Sequence, residues 1–216
     1  MKAAVIVFPG SNCDRDLTVA LEMVGFEVSK IWHKNSELEK EIDLVAIPGG
    51  FSFGDYLRVG AIAANSPICK SIISHGERGG YIVGICNGFQ ILTETGLLPG
   101  ALLRNSGLKY ICKTVALKVE TTDSVFTQKY SLPIAHHDGN YNANVNDIEK
   151  MKDQDLIAFR YCDNPNGSIE DIAGVLSSNR RVLGMMPHPE RAFEKAHGNS
   201  DGMTFFKGLF EAFATT

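Results

Sequence analysis

Several common signatures are missing from this chain. No apolar run approaches the roughly 20 residues needed to cross a bilayer. The opening run Ala3-Ala4-Val5-Ile6-Val7-Phe8 stops at Pro9-Gly10 without a small-residue cleavage pattern, so it reads as a first strand and not as a signal peptide. There is no C-x-x-C pair. The five cysteines, at 13, 69, 86, 112 and 162, are odd in number and widely spaced, which argues against a disulfide framework and a thiolate zinc site and for a reducing cytoplasm. Lys and Arg are scattered and the formal net charge is −4, so neither a nucleic acid nor an anionic membrane is an expected partner. Internal repeats, linkers and low-complexity tracts are also absent.

What is present suits one compact soluble domain over residues 1–216, with 44% hydrophobic and 21% charged residues. The first half alternates strand-like and helix-like segments. Strands are expected at Ala3 to Phe8, Glu27 to Trp32, Asp43 to Ile47 and Tyr81 to Ile85. Helices are expected at Asp14 to Val24, stopped by Gly25, at Asn65 to Ser74 and from Asn87 to Thr95. Near-continuous apolar strands in βαβα order imply an α/β fold, a mostly parallel open sheet covered by helices on both faces. The second half predicts an antiparallel region: extended segments at Tyr110 to Val119 and Leu132 to Ala135, and a hairpin of Gly174 to Leu176 and Arg181 to Met185 about Ser178-Asn179-Arg180. Asp201 to Phe213 reads as an amphipathic closing helix whose Phe205, Phe206, Leu209, Phe210 and Phe213 form a buried stripe.

In such sheets ligands gather beyond the carboxyl ends of the strands, which places Cys13, Gly49-Gly50 and Cys86 on one rim. Free cysteine is among the most buried residue types, so core packing is the default for Cys86. Its neighbours argue otherwise. Gly84 and Gly88 stand two residues to either side, where a strand entering and a helix leaving a sharp turn would collide through Cβ atoms. The first turn of the following helix offers unpaired N–H groups and a positive dipole end to a thiolate and to an oxyanion.

A cysteine nucleophile needs a base with an orienting partner. Gly184-Met185-Met186-Pro187-His188-Pro189-Glu190-Arg191 supplies one. The prolines hold Met186 and His188 in extended conformations, and residues two apart then face one side, so Glu190 can accept a His188 ring N–H. An isolated H-x-E is more simply a polar strand end; the glycine-flanked cysteine makes the pair a base and its orienter. The loop from Pro48 to Gly60, with Gly49, Gly50 and Gly54, can aim backbone N–H groups at an oxyanion together with that of Asn87. A phosphate cradle competes with this, but the loop lacks the Gly-Lys-Ser/Thr ending, and a plain structural turn stays open.

Taken together, "GICNGFQ" at 84 to 90 and "PHPER" at 187 to 191 resemble the class I, triad-type glutamine amidotransferases. "FPGSNCDRD" at 8 to 16, "IPGGFSFGDYLRVGAIA" at 47 to 63 and "LGMMPHPERA" at 183 to 192 extend the resemblance over the whole chain, toward the branch that serves a separate synthase of purine biosynthesis. The resemblance implies Cys86 as nucleophile, His188 as acid and base, and Glu190 as its orienting partner. It implies Gly50 and Asn87 as oxyanion donors, with Gly49, Gln90 and His137 at the glutamine pocket. It further implies no cofactor in this chain, ATP and magnesium in a large synthase subunit, ammonia passed to that subunit, and a small accessory subunit in the same complex. At 136 to 138 the chain reads His-His-Asp, where family members have a small residue and then Glu after the first His. A stand-alone cysteine hydrolase of the γ-glutamyl hydrolase type and a catalytically silent regulatory subunit are the alternative readings.

Other candidates weigh less. Cys13 lacks a glycine two residues later, and Asp14 and Asp16 oppose a thiolate beside it, so packing or an interface role is expected. Cys69, Cys112 and Cys162 read as core. His136, His137 and Asp138 could be imagined as metal ligands, but consecutive side chains point apart, and no metal site is expected. His33, His75 and His197 have no organised partner in sequence.

Overall fold

The structure, a computed structural model, describes residues 1–39, 41–55, 59–122, 126 and 129–214. Tyr56, Leu57 and Arg58 of the glycine loop lie outside the described residues. The chain forms two compact units, one of Met1–Pro99 with Leu176–Gly184 and the other of Gly100–Val175 with Met185–Thr216.

The first unit runs β1 (Lys2–Val7), α1 (Asp14–Val24), β2 (Glu27–Trp32), β3 (Leu44–Ile47), α2 (Val59–Ala64), α3 (Pro67–Glu77), β4 (Tyr81–Ile85) and α4 (Asn87–Glu94). Its strands lie in the order β2-β1-β3-β4 and pair in parallel, with Ala3 opposite Val28 and Leu44, and Ile47 opposite Gly84. That is the doubly wound order in which carboxyl strand ends share one edge. The central strands read as apolar runs because they are covered: Ala3 to Ile6 and Leu44 to Ile47 are buried. Gly25 ends α1 at φ 110, in the left-handed region that glycine tolerates. The expected helix at 65 to 74 is displaced. Ser66 is its N-cap and Pro67 its first residue, where a missing N–H costs nothing, and it continues to Glu77 before Gly79.

The second unit contains β5 (Ala101–Leu103), β6 (Ile111–Val119), β7 (Tyr130–His136), β8 (Asn140–Asn142), α5 (Val145–Asp153), β9 (Ile157–Tyr161) and the greater part of β10 (Ile172–Leu176), followed by α6 (Asp201–Ala214). A final strand, β11 (Val182–Met185), belongs chiefly to the first unit. The order β10-β9-β6-β7 is antiparallel throughout, and β5 and β8 form a separate ribbon. The turn before β11 is closed by Ser177 N–H to Val182 O at 2.9 Å, with Arg180 left-handed at φ 61. In α6 the expected stripe is buried at Phe205, Phe206 and Leu209, whereas Phe210 and Phe213 are only half-buried; Phe205 stacks on Phe126 with ring centroids 4.9 Å apart.

Two of the core cysteines are corrected. Cys69 is buried, but Cys112 and Cys162 are exposed. Cys112 sits where residues 112 to 114 of β6 are all exposed, and Cys162 follows the last residue of β9. Two histidines gain partners that sequence did not suggest: His33 Nδ1 lies 3.0 Å from Ser66 Oγ, and His197 Nε2 3.5 Å from Glu194. Among the described residues no helix is long and apolar enough to cross a membrane.

Candidate active site

Cys86 is the residue between β4 and α4, and its backbone is at φ 51, ψ −105. An L-residue in that region is strained by about 1–3 kcal/mol, so the surroundings must impose it. They do so by proximity. A Cβ at Gly84 would lie 2.7 Å from the carbonyl of Gly88, and a Cβ at Gly88 would lie 2.1 Å from the carbonyl oxygen of Ile47 on the neighbouring strand. Both contacts are to backbone, which has no rotamer with which to retreat. The two glycines thus let helix α4 start directly over strands β3 and β4, and Cys86, 2% exposed, is held at the apex. Cys86 O accepts the N–H of Gln90 at 3.1 Å, so the helix begins at once and Cys86 directly precedes its first-turn donors.

The glycine loop follows β3 on the same strand edge. Gly50 has φ 126, and a Cβ there would lie 2.5 Å from Asn12 Oδ1 and 2.6 Å from Asn12 N. Glycine is therefore required twice over, by conformation and by contact. The loop then makes a tight turn, Ser52–Asp55, in which Phe53 (φ 50) and Asp55 (φ 54) are left-handed without being glycine. Phe51 and Phe53 donate their N–H groups to Gly10 O (3.2 Å) and Pro9 O (2.6 Å), so the loops after β1 and β3 are laced together. Ser52 N–H donates to Asn87 Oδ1 at 2.8 Å. Asn87 Nδ2 donates to Gln90 Oε1 at 2.8 Å and to Asp55 Oδ1 at 3.4 Å. Sequence reading placed Asn87 here for its backbone N–H and Gln90 for a ligand contact. The structure gives the Asn87 side chain a further place, between loop and helix, and engages the Gln90 carbonyl with it. Cys13 is buried at the N-terminus of α1, as its packing role predicts.

In the second unit, His188 Nδ1 and Glu190 Oε1 are 2.6 Å apart, with both residues essentially excluded from solvent. A charge-assisted contact of this length fixes the ring and directs Nε2 away from the carboxylate. The segment is anchored on both sides. His188 N–H donates to Pro133 O on β7 at 2.9 Å, and the backbone of α6 presses on the turn Pro189–Arg191, where a Cβ at Gly202 would lie 1.9 Å from Pro189 O. Gly202 N–H donates to Ala192 O at 2.8 Å, and Asp201 accepts the N–H of Ser131 at 2.6 Å.

The His-His-Asp segment ends β7, and its side chains go three ways. His136 is buried with Nδ1 3.0 Å from Asn105 Oδ1, His137 packs edge-on against Tyr110 at 5.0 Å, and Asp138 pairs with Arg104 at 2.6 Å. Asn105, fully buried, donates to the carbonyls of Lys109 and His136 and accepts Gly139 N–H, so it holds the whole turn. Burial pushes the His136 imidazole down to about 4, helped by the charges of His188 and His137 and opposed by a backbone hydrogen bond. His136 is therefore neutral at physiological pH. Asn105 was invisible to sequence reading because its partners in the turn are 31 to 34 residues away.

Comparison with known proteins agrees with this chemistry. Residues 1–207 match the model of the CobB/CobQ-like glutamine amidotransferase domain. The chain is 67% identical over 215 residues to the phosphoribosylformylglycinamidine synthase subunit PurQ of Ruegeria sp. strain TM1040, covering 97% of each chain. It is 50% identical over 228 residues to the protein of the same name from Rhodospirillum rubrum, covering 98% of this chain and 99% of that one. Among solved structures, PurLQS from Thermotoga maritima superposes with a TM-score of 0.88 at 46% identity, covering 98% of both chains. A glutamine amidotransferase from the same organism shares the fold, with a TM-score of 0.60 at 15% identity over 100% of this chain and 83% of that one.

Proposed function

The chain belongs to the glutamine amidotransferase family, and from that premise we propose that it is the glutamine-hydrolysing subunit of a phosphoribosylformylglycinamidine synthase. It cleaves glutamine to glutamate and ammonia and supplies the ammonia to a synthase, which uses ATP to convert formylglycinamide ribonucleotide to formylglycinamidine ribonucleotide in purine biosynthesis. The full-length agreement with relatives of that name supports the pathway. The observation that carries the chemistry is the strained apex at Cys86, imposed by two glycines that tolerate no Cβ.

In the reaction, the Cys86 thiolate attacks the carbon of the glutamine side-chain amide, and the carbonyl oxygen becomes an oxyanion received by the backbone N–H groups of Gly50 and Asn87. His188 gives a proton to the nitrogen, the C–N bond breaks, and ammonia leaves a γ-glutamyl thioester. His188 then takes a proton from water, the water oxygen attacks the thioester carbon, and the C–S bond breaks to release glutamate and the thiol. Glu190 accepts the Nδ1 proton of His188, so that Nε2 is the nitrogen that exchanges protons with substrate. In this reading Gly49, Gln90 and His137 are contacts to the bound glutamine.

None of these steps needs a cofactor in this chain; ATP and magnesium act in the synthase. A small accessory subunit completes the assembly, residues 1–216 act as one domain, and the complex works in the cytoplasm, where five free cysteines are compatible with a reducing medium. Assays of the isolated chain and of the chain with its synthase test this reading. Glutamine hydrolysis is expected to be weak alone and to rise when synthase and ribonucleotide are added. Cys86→Ala is expected to abolish glutamine-dependent synthesis and to spare synthesis from added ammonia. Glutamine hydrolysis by the Cys86→Ala chain would refute the assignment.

A further inference from the structure

We infer that Asn87 is a positioning residue whose side-chain amide fixes the glycine loop against the nucleophile turn, in the conformation that receives the oxyanion. This rests on the glutaminase reading above and adds a residue to it. The four N–H groups that follow Gly50 have identified acceptors. Three of them bind within the loop or to the segment after β1: Phe51 to Gly10 O, Phe53 to Pro9 O and Gly54 to Phe51 O. The fourth, Ser52, crosses to helix α4 and donates to Asn87 Oδ1 at 2.8 Å, with Ser52 and Asn87 both buried. This bond joins the loop to the residue next to the nucleophile.

The amide has one workable orientation. With Oδ1 accepting from Ser52, Nδ2 meets the two oxygens of Gln90 (2.8 Å) and Asp55 (3.4 Å). Flipping it would set an N–H against the buried Ser52 N–H and an oxygen against the half-buried Asp55 carboxylate, and an unmatched buried donor is costly. The loop also needs an external restraint. Phe53 and Asp55 are left-handed, a state that non-glycine residues keep only when their surroundings over-determine it. Asn87 thus acts twice. Its backbone N–H is a first-turn donor beside Cys86, and its side chain sets where the Gly50 N–H lies relative to that donor. The separation of the two oxyanion donors is therefore governed through one residue, and a displacement of about 1 Å in such a pair is enough to cost about 10²-fold in rate.

The test uses the chain assembled with its synthase, measuring glutamate release, synthesis from added ammonia, and alkylation of Cys86 by iodoacetamide. Asn87→Ala is expected to lower kcat for glutamine hydrolysis by about 10- to 100-fold, with KM changed less than about threefold. Alkylation forms no oxyanion, so its rate at Cys86 is expected to stay within about twofold of wild type, and ammonia-dependent synthesis is expected to be unchanged. Asn87→Gln keeps an amide that can accept the Ser52 N–H and still donate to the oxygens of Gln90 and Asp55, and is expected to retain more activity than Asn87→Ala. A kcat within about twofold of wild type for Asn87→Ala, an alkylation rate that falls in step with kcat, or equal losses for the two variants would each overturn the inference. If Asn87→Ala does not fold, Asn87→Ser, polar but too short to reach Ser52, is read by the same criteria. Cys86→Ala run in parallel separates the outcomes: if it is inactive while the Asn87 variants behave as wild type, only the positioning role fails.

Discussion

Replacing His136 by Phe is expected to flatten part of the acid sensitivity of folding. The ring is buried at the end of β7, its Nδ1 bound to Asn105 and its edge so close to Gly139 that a Cβ there would lie 2.2 Å from Cε1. Burial and the charge of His188 hold the imidazole at about 4, against 6.5 when it is unhindered. Because the folded value is the lower one, the unfolded chain binds a proton first as pH falls. The contribution is fully present above pH 6.5 and is lost progressively down to about pH 4. The two values differ by enough for a total loss of about 3 kcal/mol, of which about 2 kcal/mol falls between about pH 7.5 and pH 5. Urea titrations of wild type and His136→Phe at those two pH values give the difference directly. The wild-type chain is expected to lose about 2 kcal/mol more than the variant. Parallel losses in the two proteins would show that His136 is not held neutral by the fold, and an NMR titration of its ring protons with a midpoint near 6.5 would show the same.

Gly88→Ala is expected to destabilise the chain by about 1–3 kcal/mol, because its Cβ meets a backbone carbonyl at 2.1 Å; an unchanged denaturation midpoint would contradict the packing described at the Cys86 turn. Glu190→Gln is expected to lower glutamine hydrolysis by about 10²–10⁴-fold, since an amide can hold His188 in the wrong tautomer, while synthesis from added ammonia continues. Among the other thiols, Cys112 and Cys162 are expected to react first with iodoacetamide in the native protein. Cys69, which burial pushes up to about 11, is expected to react only on unfolding; mass spectrometry of the labelled peptides decides the order.

The first unit was legible because its signals are local. Apolar strands of β-branched residues, a glycine at the end of α1 and the paired glycines about Cys86 each report a backbone requirement within a few residues. The H-x-E pair was legible as a spacing but not as a conformation: an extended segment was expected, whereas Glu190 lies in the tight helical turn Pro189–Arg191, which brings its carboxylate within 2.6 Å of His188. What escaped was non-local or weakly patterned. Strands β5 and β8 have three residues each, too few to show a period, and α5 carries only two buried residues in nine, although Asn144 caps it. The Ser52–Asn87 and Asn105–Gly139 bonds link residues 35 and 34 apart, and no window of sequence contains both ends. Cys112 and Cys162 were misassigned because composition favours burying cysteine, whereas Cys112 lies in a stretch of β6 exposed on both faces and Cys162 lies just beyond the end of β9.

The geometry at Cys86 also bears on how such a chain evolves. Glycine would occupy φ 51, ψ −105 with less strain, so on backbone grounds alone drift toward a more stable protein would favour discarding the side chain at residue 86. A duplicated copy released from its pathway would therefore be expected to lose the thiol early while keeping Gly84 and Gly88, whose contacts serve the packing of β3, β4 and α4 regardless of activity. Glycines persisting around a vanished cysteine would mark an ancestor that once hydrolysed glutamine.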